Sequence, residues 1–131
     1  MTLVLDANVV VPACRVNAGF SLFGEEALVA PPLMLPEARS TLHEAMWRGE
    51  LPVDQARAAF ARLAQAPIEV RDDRRLGAEA WRVADELGWA KTYDAEYLAL
   101  ASLLDCRLVT LDARLRRRTA HLGFVVSPTE L

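Results

Sequence analysis

The chain opens with a run of branched aliphatic residues, Leu3-Val4-Leu5, that has no polar alternation and ends in Asp6. A strand of this kind is buried on both faces, as in the middle of a parallel sheet. Asp6 then stands at its carboxyl end, where open α/β sheets bind ligands, and Asn8 follows at the turn into a helix. Residues 7 to about 23 read as helical but poorly patterned, punctuated by Pro12, Gly19 and Gly24. Ala27-Leu28-Val29-Ala30 is a brief strand halted by Pro31-Pro32.

The next stretch, 33–48, is helical and tolerates Pro36 only because it lies in the first turn. Met34, Ala38, Thr41 and Ala45 form its apolar stripe, with Glu37 on the edge. Gly49 and Pro52 close it, and 53–64 makes a second helix with Ala56, Ala59, Phe60 and Leu63 in one row. Ile68-Glu69-Val70 is a short strand, and the charged run 71–75 is a solvated turn leading into a helix over 76–87 that Gly88 ends. The strongest helical pattern covers 92–104, with Tyr93, Tyr97, Leu100, Ala101 and Leu104 on one face and Asp94 in the first turn. A strand over 107–111 ends at Asp112, a basic helix follows (Arg114, Arg116, Arg117, Arg118), and 123–126 is a last strand. The tail, 127–131, has no pattern. Strands alternating with helices predict an α/β fold: one domain over residues 1–131, with a parallel sheet of four to five strands covered by helices on both sides.

Composition narrows this picture. With 131 residues, 53% of them hydrophobic and 25% charged, the chain is of ordinary globular make-up and too short for two domains. No apolar run approaches the roughly 18 residues needed to span a bilayer, and no basic leader precedes the first strand, so the expected location is cytoplasmic. Cys14 and Cys106 lack metal-site spacing and read as small buried apolar residues, while Trp47, Trp81 and Trp89 read as core. The net charge of −3 would disfavour nucleic acid if it were spread evenly, but acids gathered in one site with bases on its rim would not. His43 and His121 are not placed to serve as bases for such a site.

The candidate chemistry is carboxylate chemistry. Asp6 and Asp112 both close apolar strands; on neighbouring parallel strands they would emerge about 5 Å apart, too close for two uncompensated charges. A divalent cation relieves this, and acids without His or Cys suit Mg2+ or Mn2+. Each acid also has a plain structural reading: Asp94 as a favourable charge at a helix start, Asp112 as a helix cap, Glu37 as an exposed acid.

Asp6-x-Asn8 after the first strand, Pro32 followed by Glu37, the segment Tyr93-Asp94-Ala95-Glu96-Tyr97 and Leu108-Val109-Thr110-Leu111-Asp112 together resemble the PIN-domain family. Within it they are similar to the VapC-type toxin ribonucleases of prokaryotic toxin–antitoxin pairs. The resemblance runs from Leu3 to Val126. It implies a sheet whose first and fourth strands are adjacent, and an acidic site of Asp6, Glu37, Asp94 and Asp112. Asp6, Asp94 and Asp112 would be metal ligands, with Asn8 and Thr110 as supporting polar groups. It further implies Mg2+- or Mn2+-dependent cleavage of structured RNA such as tRNA or rRNA and inhibition by an antitoxin protein, while the exposed apolar faces expected of so small a domain point to a homodimer. Arg114, Arg116, Arg117 and Arg118 would contact RNA phosphates or the antitoxin. Three other readings remain open. A haloacid-dehalogenase-like phosphatase needs an aspartate where Asn8 stands and a later lysine, a receiver-like binding module needs an acidic pair and a lysine, and a PIN-like domain could act mainly by binding DNA through its partner.

Overall fold

The computed structural model describes residues 1–131. Its strands are β1 (Thr2–Leu5), β2 (Ala27–Ala30), β3 (Ile68–Val70), β4 (Arg107–Val109) and β5 (Val125–Val126). All pairings are parallel and the order is β3-β2-β1-β4-β5, so β1 is the middle strand, as its unbroken apolar run requires. The chain winds outward from β1 to β3 on one side, then crosses over to place β4 against the other side of β1. Loops leaving the carboxyl ends of β1 and β4 therefore diverge, which leaves a crevice at that point of the sheet edge.

Helices α1 (Ala7–Cys14), α2 (Met34–Trp47) and α3 (Val53–Ala64) pack with one another. Helices α4 (Leu76–Leu87) and α5 (Tyr93–Leu104) form the other packed pair, α5 lies on β1 and β4, and α6 (Ala113–Arg118) connects β4 to β5. One continuous apolar core runs through the sheet and these helices. The fold is thus the expected α/β arrangement of a five-stranded parallel sheet flanked by helices.

Several boundaries differ from the sequence expectation. The first helix stops at Cys14 instead of running on towards residue 23, and a separate 3-10 turn occupies Gly19–Phe23. Between them Ala18 takes a left-handed conformation, φ 54°, and Gly19 presses so close that a Cβ there would lie 2.0 Å from the Ala13 carbonyl oxygen. Only glycine fits that reversal. The fourth strand ends at Val109, not Leu111, because the backbone N–H of Leu111 turns to the Asn8 side chain, Oδ1, at 3.0 Å.

The apolar stripe of α2 is Met34, Ala38 and Leu42; Thr41 faces solvent, its hydroxyl donating to the Glu37 carbonyl at 2.9 Å. In α5 burial spreads over Ala95, Tyr97, Leu98, Ala99, Leu100 and Ala101, because the helix is packed between α4 and the sheet. Tyr93 is correspondingly exposed. Trp47 (83% exposed) and Trp81 (72%) are not core residues, and Phe60 on α3 is also exposed; of the tryptophans only Trp89 packs on the core. Cys14 is buried and Cys106 half-buried, both as free thiols. The tail holds a 3-10 turn, Pro128–Glu130, closed by a reciprocal pair of Ser127 and Glu130 hydrogen bonds, a serine-to-glutamate spacing that the sequence does contain.

Candidate active site

Leu5 pairs in register with Val109, and the backbone N–H of Asp6 donates to the Val109 carbonyl at 3.0 Å. The residue one step further along β4 is Thr110, which therefore takes the place opposite Asp6 that the sequence had offered to Asp112. Its hydroxyl donates to Asp6 Oδ2 at 2.9 Å, and the Asn8 amide donates to the same oxygen at 3.3 Å. Asn8 also donates to Thr110 Oγ1 at 3.1 Å. Both bonds to the carboxylate end on Oδ2, and Oδ1 takes neither. Asp6 is 7% exposed. Burial raises its pKa to about 6, against the lowering effect of the Thr110 hydroxyl, and the negative charges of Asp94 and Glu37 push it the same way.

Glu37 sits in the first turn of α2, half-buried, and accepts a short hydrogen bond from the Tyr97 hydroxyl on Oε1. Burial raises its pKa, with Asp94 adding to the rise and Tyr97 opposing it. Asp94, in the first turn of α5, is raised by burial and then by Asp112, while Arg118 acts in the opposite sense. Asp112 is exposed and caps α6, its Oδ1 accepting from the Leu115 backbone N–H at 3.0 Å. The four acids thus form a chain of mutual influence: Asp6 and Glu37 feel Asp94, and Asp94 feels Asp112. Each begins a helix or lies in its first turn, where the exposed N–H groups partly offset negative charge.

Sequence reasoning missed two neighbours. Tyr97 positions Glu37, and Glu96, half-buried and raised by burial and by Glu37, adds a further acid. The spacing of Asp94 to Tyr97 on one helix face was the available signal. The basic helix divides in use. Arg116 donates to the Thr110 carbonyl at 2.9 Å, and Arg118 lies 4.8 Å from the centre of the Trp89 ring, whereas Arg114 and Arg117 are exposed.

The donors of this cluster are all hard oxygens, and Asp6, Glu37 and Asp94 are raised by burial and by neighbouring acids, which is the condition a divalent cation relieves. No three acidic, histidine or cysteine side chains stand close enough to ligate one ion by themselves.

The chain matches the PIN domain over residues 3–120. It belongs to the PIN-domain family. This sets aside the phosphatase and receiver-like alternatives. No curated protein sequence matches this PIN domain. Among solved structures it is similar to the PAE2754 protein of Pyrobaculum aerophilum, with 25% identity over 99% of this chain and 91% of that one and a TM-score of 0.77. A toxin–antitoxin complex from Klebsiella pneumoniae shares the fold at 18% identity and a TM-score of 0.66, covering 96% of this chain and 97% of that chain. VapBC2 of Rickettsia felis, solved on a DNA fragment from its promoter, does so at 14% identity and 0.67, again over 96% and 97%.

Proposed function

We propose that this PIN domain is a metal-dependent endoribonuclease, the toxin of a toxin–antitoxin pair, acting at Asp6, Glu37, Asp94 and Asp112. The observation that carries the reading is the set of acids at one sheet edge, three of them, Asp6, Glu37 and Asp94, raised by burial and by neighbouring acids, in a family of nucleases. The toxin–antitoxin setting is supported by the fold shared with the Klebsiella and Rickettsia complexes. Bound Mg2+ or Mn2+ would supply an activated water and neutralise charge on the leaving oxygen.

The chain's own residues provide the frame for in-line hydrolysis. Thr110 and Asn8 fix Asp6 through Oδ2, and Asp94 and Asp112 extend the acidic edge beside it. Tyr97 holds Glu37 by one oxygen, so that the other can orient the attacking water. An antitoxin protein is the proposed regulator and a homodimer the proposed assembly, with tRNA or rRNA as substrate in the cytoplasm; no helix is long and apolar enough to cross a membrane. Binding of promoter DNA through the antitoxin is a second role, favoured by the Rickettsia assembly.

The test is cleavage of total cellular RNA by wild type and Asp94→Asn, each with Mn2+ and with a chelator. Discrete fragments that require both Asp94 and the metal are expected. Cleavage that survives Asp94→Asn or the chelator would falsify the assignment.

A further inference from the structure

Strand β3 closes one side of the sheet and has no strand beyond it. The backbone N–H of Arg71 turns inward to the Ala30 carbonyl at 2.9 Å, so Val70, one position earlier, aims its own N–H and C=O at the free side. A bare edge of this kind is a template for another strand. Its two faces differ. Ile68 and Val70 look towards α2 and α3, where they wall a groove of about 350 Å3 together with Leu35, Phe60 and Ala64. Phe60 is 53% exposed and Val70 37%, so apolar surface reaches the edge. Glu69 and Arg71 lie on the opposite face and hold each other, Arg71 donating from Nε to Oε1 at 3.3 Å and from Nη2 to Oε2 at 2.8 Å.

The order of these residues decides what can pair there. About a two-fold axis perpendicular to the sheet, two copies of β3 meet antiparallel. With Val70 opposite Val70, each N–H reaches the other's carbonyl, and residue 69 comes opposite residue 71 in the close, non-hydrogen-bonded positions. Glu69 then faces Arg71 of the second copy at both ends of the contact, and each guanidinium still has Nη1 to offer. A slip of one residue exchanges the faces, and a slip of two sets Glu69 against Glu69 or Arg71 against Arg71. On the other face the two grooves, each walled by Phe60, run together across the axis. We propose that β3 pairs with β3 of a second copy, joining two five-stranded sheets into one with Val70 on the two-fold axis. The inference rests on the homodimer reading of the assembly and adds where the two chains meet. Because the strands run in opposite directions across the axis, the two acidic edges point away from each other and each site works alone.

The test is sedimentation of the full chain across a range of concentrations, for wild type, Glu69→Lys, Arg71→Glu and an equal mixture of these two variants. The pair that Glu69 and Arg71 make within one chain is exposed and contributes little to folding, so both variants fold. Wild type is expected to dimerise. Each variant alone sets like charges opposite one another at both ends of the contact and should weaken the dimer about tenfold. The mixture should recover it as a heterodimer, since the two reversed charges then face each other and the unaltered Arg71 faces the unaltered Glu69. Phe60→Ser should also weaken the dimer, and Trp81→Ala, which removes an exposed ring on α4, should change nothing. Weakening in both variants without recovery in the mixture overturns the pairing. A dimer indifferent to both reversals overturns it as well and leaves the homodimer to another surface. A wild type that stays monomeric at every concentration rejects the interface and the homodimer together.

Discussion

Burial of the Asp6 carboxylate makes the site sensitive to pH in a defined direction, and the Thr110 hydroxyl that donates to it partly opposes the effect. An unfolded aspartate titrates near 3.8, whereas folded Asp6 titrates at about 6, so the folded protein holds that proton more tightly. Without metal, the contribution of Asp6 to stability is complete below pH 4 and is lost as pH rises through 6, on the order of 3 kcal/mol in all. Denaturant unfolding of metal-free wild type minus Asp6→Asn should trace that loss. Thr110→Val, which keeps the shape and removes the hydrogen, should move the inflection to higher pH and lower stability by about 1–3 kcal/mol above it. An inflection left in place by Thr110→Val would show that the hydroxyl does not govern Asp6. Metal affinity should run the other way, rising with pH until Asp6 is ionised.

At the scale of elements, α6 shows that a run of like residues need not share one task. Arg116 ties the end of β4 by donating to the Thr110 carbonyl, while Arg114 and Arg117 face solvent. Arg116→Ala is expected to lower the melting temperature by a few degrees, the loss of one charged hydrogen bond, with little change in the salt dependence of RNA binding. Arg114→Ala with Arg117→Ala should do the reverse; a salt slope equal to wild type in that double variant would remove both from the RNA contact. Nothing in the spacing of the arginines separates these roles, since the partner of Arg116 is a backbone oxygen. Elements themselves were far more legible. β3, α3 and α4 keep their sequence-read limits because proline or glycine punctuates them. The first helix was overextended because the reversal at Ala18 and Gly19 depends on contact with Ala13, which local pattern does not record. Thr41 and Leu42 differ by one helical step, and only packing chose the leucine. The acids were legible because each opens a helix or lies in its first turn; the spacing of Tyr97 from Asp94 put it on the same helix face, but its bond to Glu37, 60 positions away, is set by packing alone.

For the whole molecule, the proposed site couples fold stability to metal. Asp6, Glu37 and Asp94, raised by burial and by neighbouring acids, oppose folding at neutral pH, and an ion bound only by the folded state offsets this by about 2.7 kcal/mol at a hundredfold excess over its dissociation constant. The melting temperature should rise by several degrees with Mn2+, and the rise should vanish in Asp94→Asn; a melting curve indifferent to Mn2+ in wild type counts against the site. The order of strands has a further consequence, in time. Thr110, which holds Asp6, lies 104 positions after it, and β1 has no neighbour on that side until β4 arrives. Pairings this distant in sequence are slow to form, because the loop between them must close first. The proposed site is therefore not held together by any one stretch of chain: it assembles late in folding and all together, when β4 docks beside β1.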